Sequence, residues 1–152
     1  MSLLNGNKDC ERSLTTQAGL EMKILQEILE RIIAQAEQEA PIETCGYLAG
    51  KDECITQCYP VKNDDQREDH FTFNAEGQLS ALTMAEQEGL EVIALYHSHP
   101  VGAAWPSAED VRLAFDPSIL YVIIPLTDKE KTVRAFHIKQ GRIEEEELIV
   151  SS

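Results

Sequence analysis

Glu91-Val-Ile-Ala-Leu-Tyr96 runs straight into His97-Ser-His-Pro100, and five residues later comes Pro106-Ser107-Ala-Glu-Asp110. The first of these is an apolar run of strand length. In extended chain, side chains alternate between faces, so His97 and His99 point one way and Ser98 the other. Val101 to Pro106 reads as a loop, and Ser107 as the start of a short helix to about Phe115 that carries Asp110 in its first turn. A serine followed three residues on by an acid is, taken alone, an ordinary helix start. An isolated His-x-His is likewise more often incidental than metal-binding. Joined at the end of a strand, the two imidazoles and the returning carboxylate offer three ligands to one point. A fourth tetrahedral position is then left for water, as in a catalytic zinc site.

Outward from this core the chain alternates helices and strands. Leu20, Ile24, Leu25, Ile28, Leu29, Ile32, Ile33 and Ala36 recur at three- and four-residue steps, which predicts an amphipathic helix from Leu20 to near Ala40, stopped by Pro41. Glu43-Thr-Cys-Gly-Tyr-Leu-Ala-Gly50 and Glu53-Cys-Ile-Thr-Gln-Cys-Tyr59 read as two strands joined by a tight turn around Gly50-Lys-Asp52. Asn63 to His70 is a charged loop, Phe71-Thr-Phe73 a brief strand, and Asn74 caps a helix that runs to about Glu88 and closes at Gly89. Ile119 to Leu126 is an apolar strand, and Thr132 to Lys139 with Arg142 to Val150 forms a hairpin around Gln140-Gly141. The class is α/β (α+β), a mixed central β-sheet flanked by helices. One domain spans residues 17–152 behind a flexible leader, residues 1–16.

Composition narrows the partners. Among 152 residues, 13 are Lys or Arg and 27 are Asp or Glu, a net charge of −14 that repels phosphate backbones and anionic lipid. Nucleic acid and membrane surfaces are therefore excluded as partners, and a protein with a basic face is favoured. The apolar stretches are too short to span a bilayer. Four cysteines, with no basic-then-apolar signal segment, predict free thiols in a reducing cytoplasm. Cys54-x3-Cys58 lacks the second pair of a zinc ribbon, so both read as small buried hydrophobes.

The joint pattern H-S-H-P-x5-P-S-x-x-D, with Pro41-Ile-Glu43-Thr-Cys-Gly46-Tyr-Leu-Ala-Gly50 upstream, resembles the JAMM (MPN-plus, Mov34/PAD-1) zinc metallopeptidase family, in its compact stand-alone prokaryotic form. All five motif positions agree with the family. The resemblance implies the JAMM/MPN fold, which is like that of cytidine deaminases, and a zinc ion held by His97, His99 and Asp110. It implies that Glu43 is the general acid/base and that Ser107 stabilises the tetrahedral intermediate. It further implies hydrolysis of a peptide or isopeptide bond at the C-terminal, Gly-Gly-type tail of a small ubiquitin-like (sulfur-carrier) protein. The alternatives are a non-catalytic MPN-type interaction module and a zinc deaminase. The second lacks the required H-x-E followed by P-C-x-x-C.

The other candidates take minor parts. Ser98 faces away from the ligands and has no catalytic role. Cys45 packs near the site and is not a nucleophile. His70 and His137 read as structural or solvated, and the acids Glu144 to Glu147 as solvated surface. Trp105 either lines the substrate groove or anchors its own loop. Oligomeric state is not legible.

Overall fold

A computed structural model describes residue 10 and residues 21–152. The order is β1 (Glu21–Leu25), α1 (Gln26–Glu39), β2 (Cys45–Lys51), β3 (Cys54–Val61), α2 (Ala75–Gln87), β4 (Glu91–His99), α3 (Ala108–Arg112), β5 (Leu120–Pro125), β6 (Arg134–Lys139) and β7 (Arg142–Ser151). The expected leader lies, Cys10 apart, outside the described residues. The strands close into a barrel in the order β1-β3-β2-β4-β5-β6-β7. It is mixed: β4 runs parallel to β5, and β1 parallel to both β3 and β7, while the remaining pairs are antiparallel.

The expected first helix is shorter at its start, because Glu21–Leu25 is strand. Its spacing fits a helix, but the groups along it close the gap between β3 and β7. There β1 pairs with Cys54 and Ile55 on one side and with Glu147 to Ser151 on the other. Backbone pairing on both sides outweighs a weak helical preference. The expected strand at Phe71-Thr-Phe73 is also absent; only an isolated bridge, Asn63 to Phe73, is formed there. The β2–β3 hairpin turns through Asp52 and Glu53, both with positive φ.

Alternation along the strands sorts the core into two faces. Leu48, Ala94, Tyr96, Val122, Ile124 and Ala135 face α1, which buries Ile28, Ile32 and Ala36. Tyr47, Ala49, Tyr59 and Val61 face α2 through Ala81 and Ala85. Tyr121, Ile123, Phe136 and Ile138 lie under the segment containing Ala104 and Val111. Gly46 is required by close packing: a Cβ there would lie 2.5 Å from the Tyr96 ring and 2.6 Å from the Tyr59 carbonyl oxygen. Tyr96 in turn donates its hydroxyl to Gln35 of α1 at 2.5 Å.

The cysteine expectation is corrected. Cys10 and Cys54 form a disulfide, with Cα atoms 5.8 Å apart and a sequence separation of 44; Cys45 and Cys58 are free. The cause is tertiary, since the fold brings residue 10 to the first residue of β3, and spacing in the sequence does not report that. No helix among the described residues is long and apolar enough to cross a membrane.

Candidate metal centre

Strand parity decides where the site lies. His97 and His99 share the face of Leu95, opposite α1, at the C-terminal end of β4. Cys45 of β2 pairs with His97, so Glu43, two residues earlier, falls opposite His99. Ser98 fastens this junction. Its buried hydroxyl accepts from the Thr44 amide at 2.8 Å, and its own amide donates to the Thr44 carbonyl at 3.0 Å. Ser98 thus aligns the segment bearing Glu43 with the strand bearing both histidines, from the face away from the site.

The helix-start reading of Ser107 and Asp110 is met, and the same arrangement brings the Asp110 carboxylate to the two imidazoles. The Ser107 hydroxyl accepts from the Asp110 amide at 3.0 Å, and Asp110 Oδ2 accepts from the Ser107 amide at 2.9 Å, a complete capping box. The same Oδ2 lies 3.2 Å from His97 Nε2 and 3.1 Å from His99 Nε2, and the two Nε2 atoms are 3.1 Å apart. His99 Nδ1 is 2.8 Å from the Ala103 carbonyl, which accepts a hydrogen bond from its N–H and so turns Nε2 toward the centre. Glu43 is 3% exposed, and its Oε1 lies 3.9 Å from His97 Nε2. The structure thus brings together all five residues singled out in the sequence.

The electrostatics of the cluster favour a positive charge at its centre. Burial holds His97 below the usual imidazole range. Burial also opposes charge on His99, but the Asp110 carboxylate and the Ala103 carbonyl prevail and raise it. Asp110 is drawn well below the usual carboxylate range by both imidazoles, against the effect of its own burial. Glu43 moves the other way. Burial pushes it from 4.5 to about 8; His99 counteracts this, while Asp110, Asp69 and Glu109 add to it.

Two imidazole nitrogens and a carboxylate oxygen at the corners of a 3.1–3.2 Å triangle suit a small cation. A tetrahedral ion with bonds of roughly 2.0–2.1 Å separates its ligands by roughly 3.3–3.4 Å. Glu43, His97 and His99 also form a group able to hold a metal ion, with one atom from each within 4.8 Å of the others. The donor set therefore fits a metal.

The raised Glu43 carboxyl makes a stability prediction. A group whose pKa is higher folded than unfolded supports the fold below its unfolded value, and that support is lost as pH rises through the folded value. In chelator-treated protein, Glu43→Gln removes this dependence. Its melting temperature is expected to match wild type near pH 4.5 and to exceed it by several degrees at pH 8. Parallel melting curves across that range would contradict the burial of an ionisable Glu43.

Beside the cluster lies a cleft of about 120 Å³, lined by Glu43, His97 and Asp110 and also by Asp69, His70 and Phe71 from the 63–73 connection. The sequence had marked none of these last three as part of the site. Phe71 stacks on His97 with ring centroids 4.8 Å apart. Trp105 does not line this cleft: it meets the Phe136 ring edge-on at 5.1 Å, with the Arg134 guanidinium 5.6 Å away, and so anchors its own loop. Burial pushes the Cys45 thiol far up, in keeping with a packed, unreactive cysteine. His137 pairs with Glu146 at 3.3 Å; Glu146 is buried, unlike the solvated acid expected in that run.

A family model described as prokaryotic homologs of the JAB domain matches residues 25–139. The chain belongs to this family. It is 35% identical over 125 residues to a probable TtuB-protein conjugate cleaving protease of Thermus thermophilus, covering 82% of this chain and 80% of that one. It is 28% identical over 130 residues to a CysO-cysteine peptidase of Mycobacterium tuberculosis, covering 84% and 89%. Among solved structures, a Desulfitobacterium hafniense protein, DSY2949, superposes with a TM-score of 0.79 at 37% identity, over 86% of this chain and 93% of that one. A structure described as the JAMM metalloprotease-like zinc site of the proteasome and signalosome gives 0.56 at 22% identity, over 86% and 98%. At that identity the likeness concerns fold, and the expected JAMM/MPN fold is the one observed.

Proposed function

We propose that this protein is a zinc metallopeptidase that hydrolyses a peptide or isopeptide bond at the C-terminal tail of a small ubiquitin-like, sulfur-carrier type protein. The observation that carries the reading is the convergence of His97 Nε2, His99 Nε2 and Asp110 Oδ2 on one point, with buried Glu43 beside them. The names of the relatives support the substrate class: one is a probable TtuB-protein conjugate cleaving protease and the other a CysO-cysteine peptidase.

In this reading His97, His99 and Asp110 hold the zinc, which supplies a Lewis acid and lowers the pKa of water to roughly 7. Glu43 lies outside the 3.1–3.2 Å triangle, with its Oε1 3.9 Å from His97 Nε2, and we assign it proton transfer. Its carboxylate takes a proton from the attacking water and returns it to the leaving nitrogen. Burial raises its pKa toward the working range, and a nearby cation acts in the opposite sense, favouring the ionised base. The Ser107 oxygen already accepts from the Asp110 amide, so its hydroxyl proton is free to meet the oxyanion of the tetrahedral intermediate.

Ser107→Ala is expected to lower kcat by about 10²-fold, in line with loss of one oxyanion donor, with KM little changed. A loss below threefold would remove Ser107 from the mechanism. The function itself is tested by incubating the zinc-loaded protein with ubiquitin-like carriers bearing C-terminal extensions and reading the products by mass. Cleavage after the carrier's tail supports the proposal. Tight binding without cleavage, by every carrier that binds, would instead identify an interaction module.

A further inference from the structure

The 63–73 connection is tied into the site at two places. Asn63 is buried and uses its whole amide. Its Nδ2 donates to the Glu43 carbonyl at 2.9 Å and to the His70 carbonyl at 3.2 Å, and its Oδ1 accepts from the amides of Asp65 and Thr72 at 3.0 Å each. The Glu43 amide donates in turn to the Arg67 carbonyl at 2.8 Å. The connection is thereby knotted to the backbone on both sides of the Glu43 side chain.

The second tie crosses the cleft. His70 Nε2 lies 2.6 Å from Asp65 Oδ2, and its Nδ1 meets Glu109 Oε1. Thr72 donates its hydroxyl to the same Asp65 oxygen at 2.5 Å. Glu109 stands in the first turn of α3, directly before Asp110. One imidazole therefore spans from its own loop to the turn that carries a site carboxylate. The next residue, Phe71, covers the His97 ring.

We propose that His70 is a positioning residue: bridging Asp65 and Glu109, it locks the 63–73 connection against α3 and holds Phe71 as the wall along which the substrate tail lies. This rests on the peptidase reading for its substrate, though not for the bridge itself. A wall that binds extended substrate acts on KM, whereas the groups that move protons act on kcat. A residue needed only for folding would lower the active fraction, and so kcat, and leave KM alone.

The test uses His70→Ala, His70→Gln, Glu109→Gln and the His70→Ala/Glu109→Gln double variant of the full chain, zinc-loaded. The substrate is a ubiquitin-like carrier with a C-terminal peptide extension. His70→Ala is expected to raise KM about tenfold with kcat within twofold. Glu109→Gln is expected to raise KM likewise, the double variant to raise it no more than the worse single, and His70→Gln to recover part of the loss in KM. Additive effects, or a KM change below twofold, would overturn the proposal. Backbone amide exchange, which needs no substrate, is expected to quicken across residues 64–72 in His70→Ala and to stay unchanged in β4. If wild type cleaves no carrier, the peptidase reading fails, and exchange alone then judges the bridge: unchanged rates at 64–72 would overturn it.

Discussion

Glu43→Gln is expected to keep zinc at wild-type stoichiometry while lowering kcat by about 10²–10⁴-fold, the range ordinarily lost with a general acid/base. The substitution is nearly isosteric, and the backbone at residue 43 is held independently of its side chain by Asn63 and Arg67. None of the 3.1–3.2 Å contacts among His97, His99 and Asp110 involves Glu43. The metal should therefore stay and only proton transfer should go. Metal analysis of the purified variant, with turnover measured on the extended carrier, checks both halves. Near-normal hydrolysis would remove Glu43 from the mechanism, and lost zinc would make it a ligand, the role allowed by its grouping with the two histidines.

Four of the five central residues were legible because local rules place them; Glu43 came only with the family resemblance, and its place opposite His99 depends on the β2–β4 register. Alternation along β4 puts His97 and His99 on one face, and a capping box brings Asp110 back at a helix start. Those rules hold whatever the rest of the chain does. Ser98 was half legible: alternation turned it away from the ligands, but its bond to Thr44 depends on the β2–β4 register.

What escaped the sequence depends on distant partners. β1 carries a helix-like spacing, and only the open edges of β3 and β7 make it a strand. The Cys10–Cys54 bond spans 44 residues. His70 and Phe71 sit in a segment with no periodicity, and their meaning comes from Glu109 and His97, each 26 or more residues away. In such a loop the sequence shows composition, and only the fold shows which charges meet. The acidity of the chain has a local counterpart here. Asp69 and Glu109 both help to raise Glu43, so part of the negative charge tunes the site and is more than solvated surface.

Loss of a proposed ligand should have the largest effect of all. His99→Ala and Asp110→Ala are each expected to emerge from dialysis without stoichiometric zinc and to show no hydrolysis above background. Asp110→Ala also breaks the capping box, a cost of about 0.5–2 kcal/mol that muddies the comparison. Asp110→Asn separates the two effects, because its amide oxygen can still accept from Ser107 while its charge is gone. The decisive readout is the response of melting temperature to added zinc, since a ligand that binds only the folded state stabilises it by about 2.7 kcal/mol at 100 times its Kd. Wild type should show that rise, His99→Ala and Asp110→Ala none, and Asp110→Asn a rise only at much higher zinc. Removing one corner leaves two donors, and the point at which Asp110 now meets both imidazoles ceases to exist. A His99→Ala protein that kept the wild-type zinc response would sink the ligand assignment and leave Glu43, His97 and Asp110 to account for the binding.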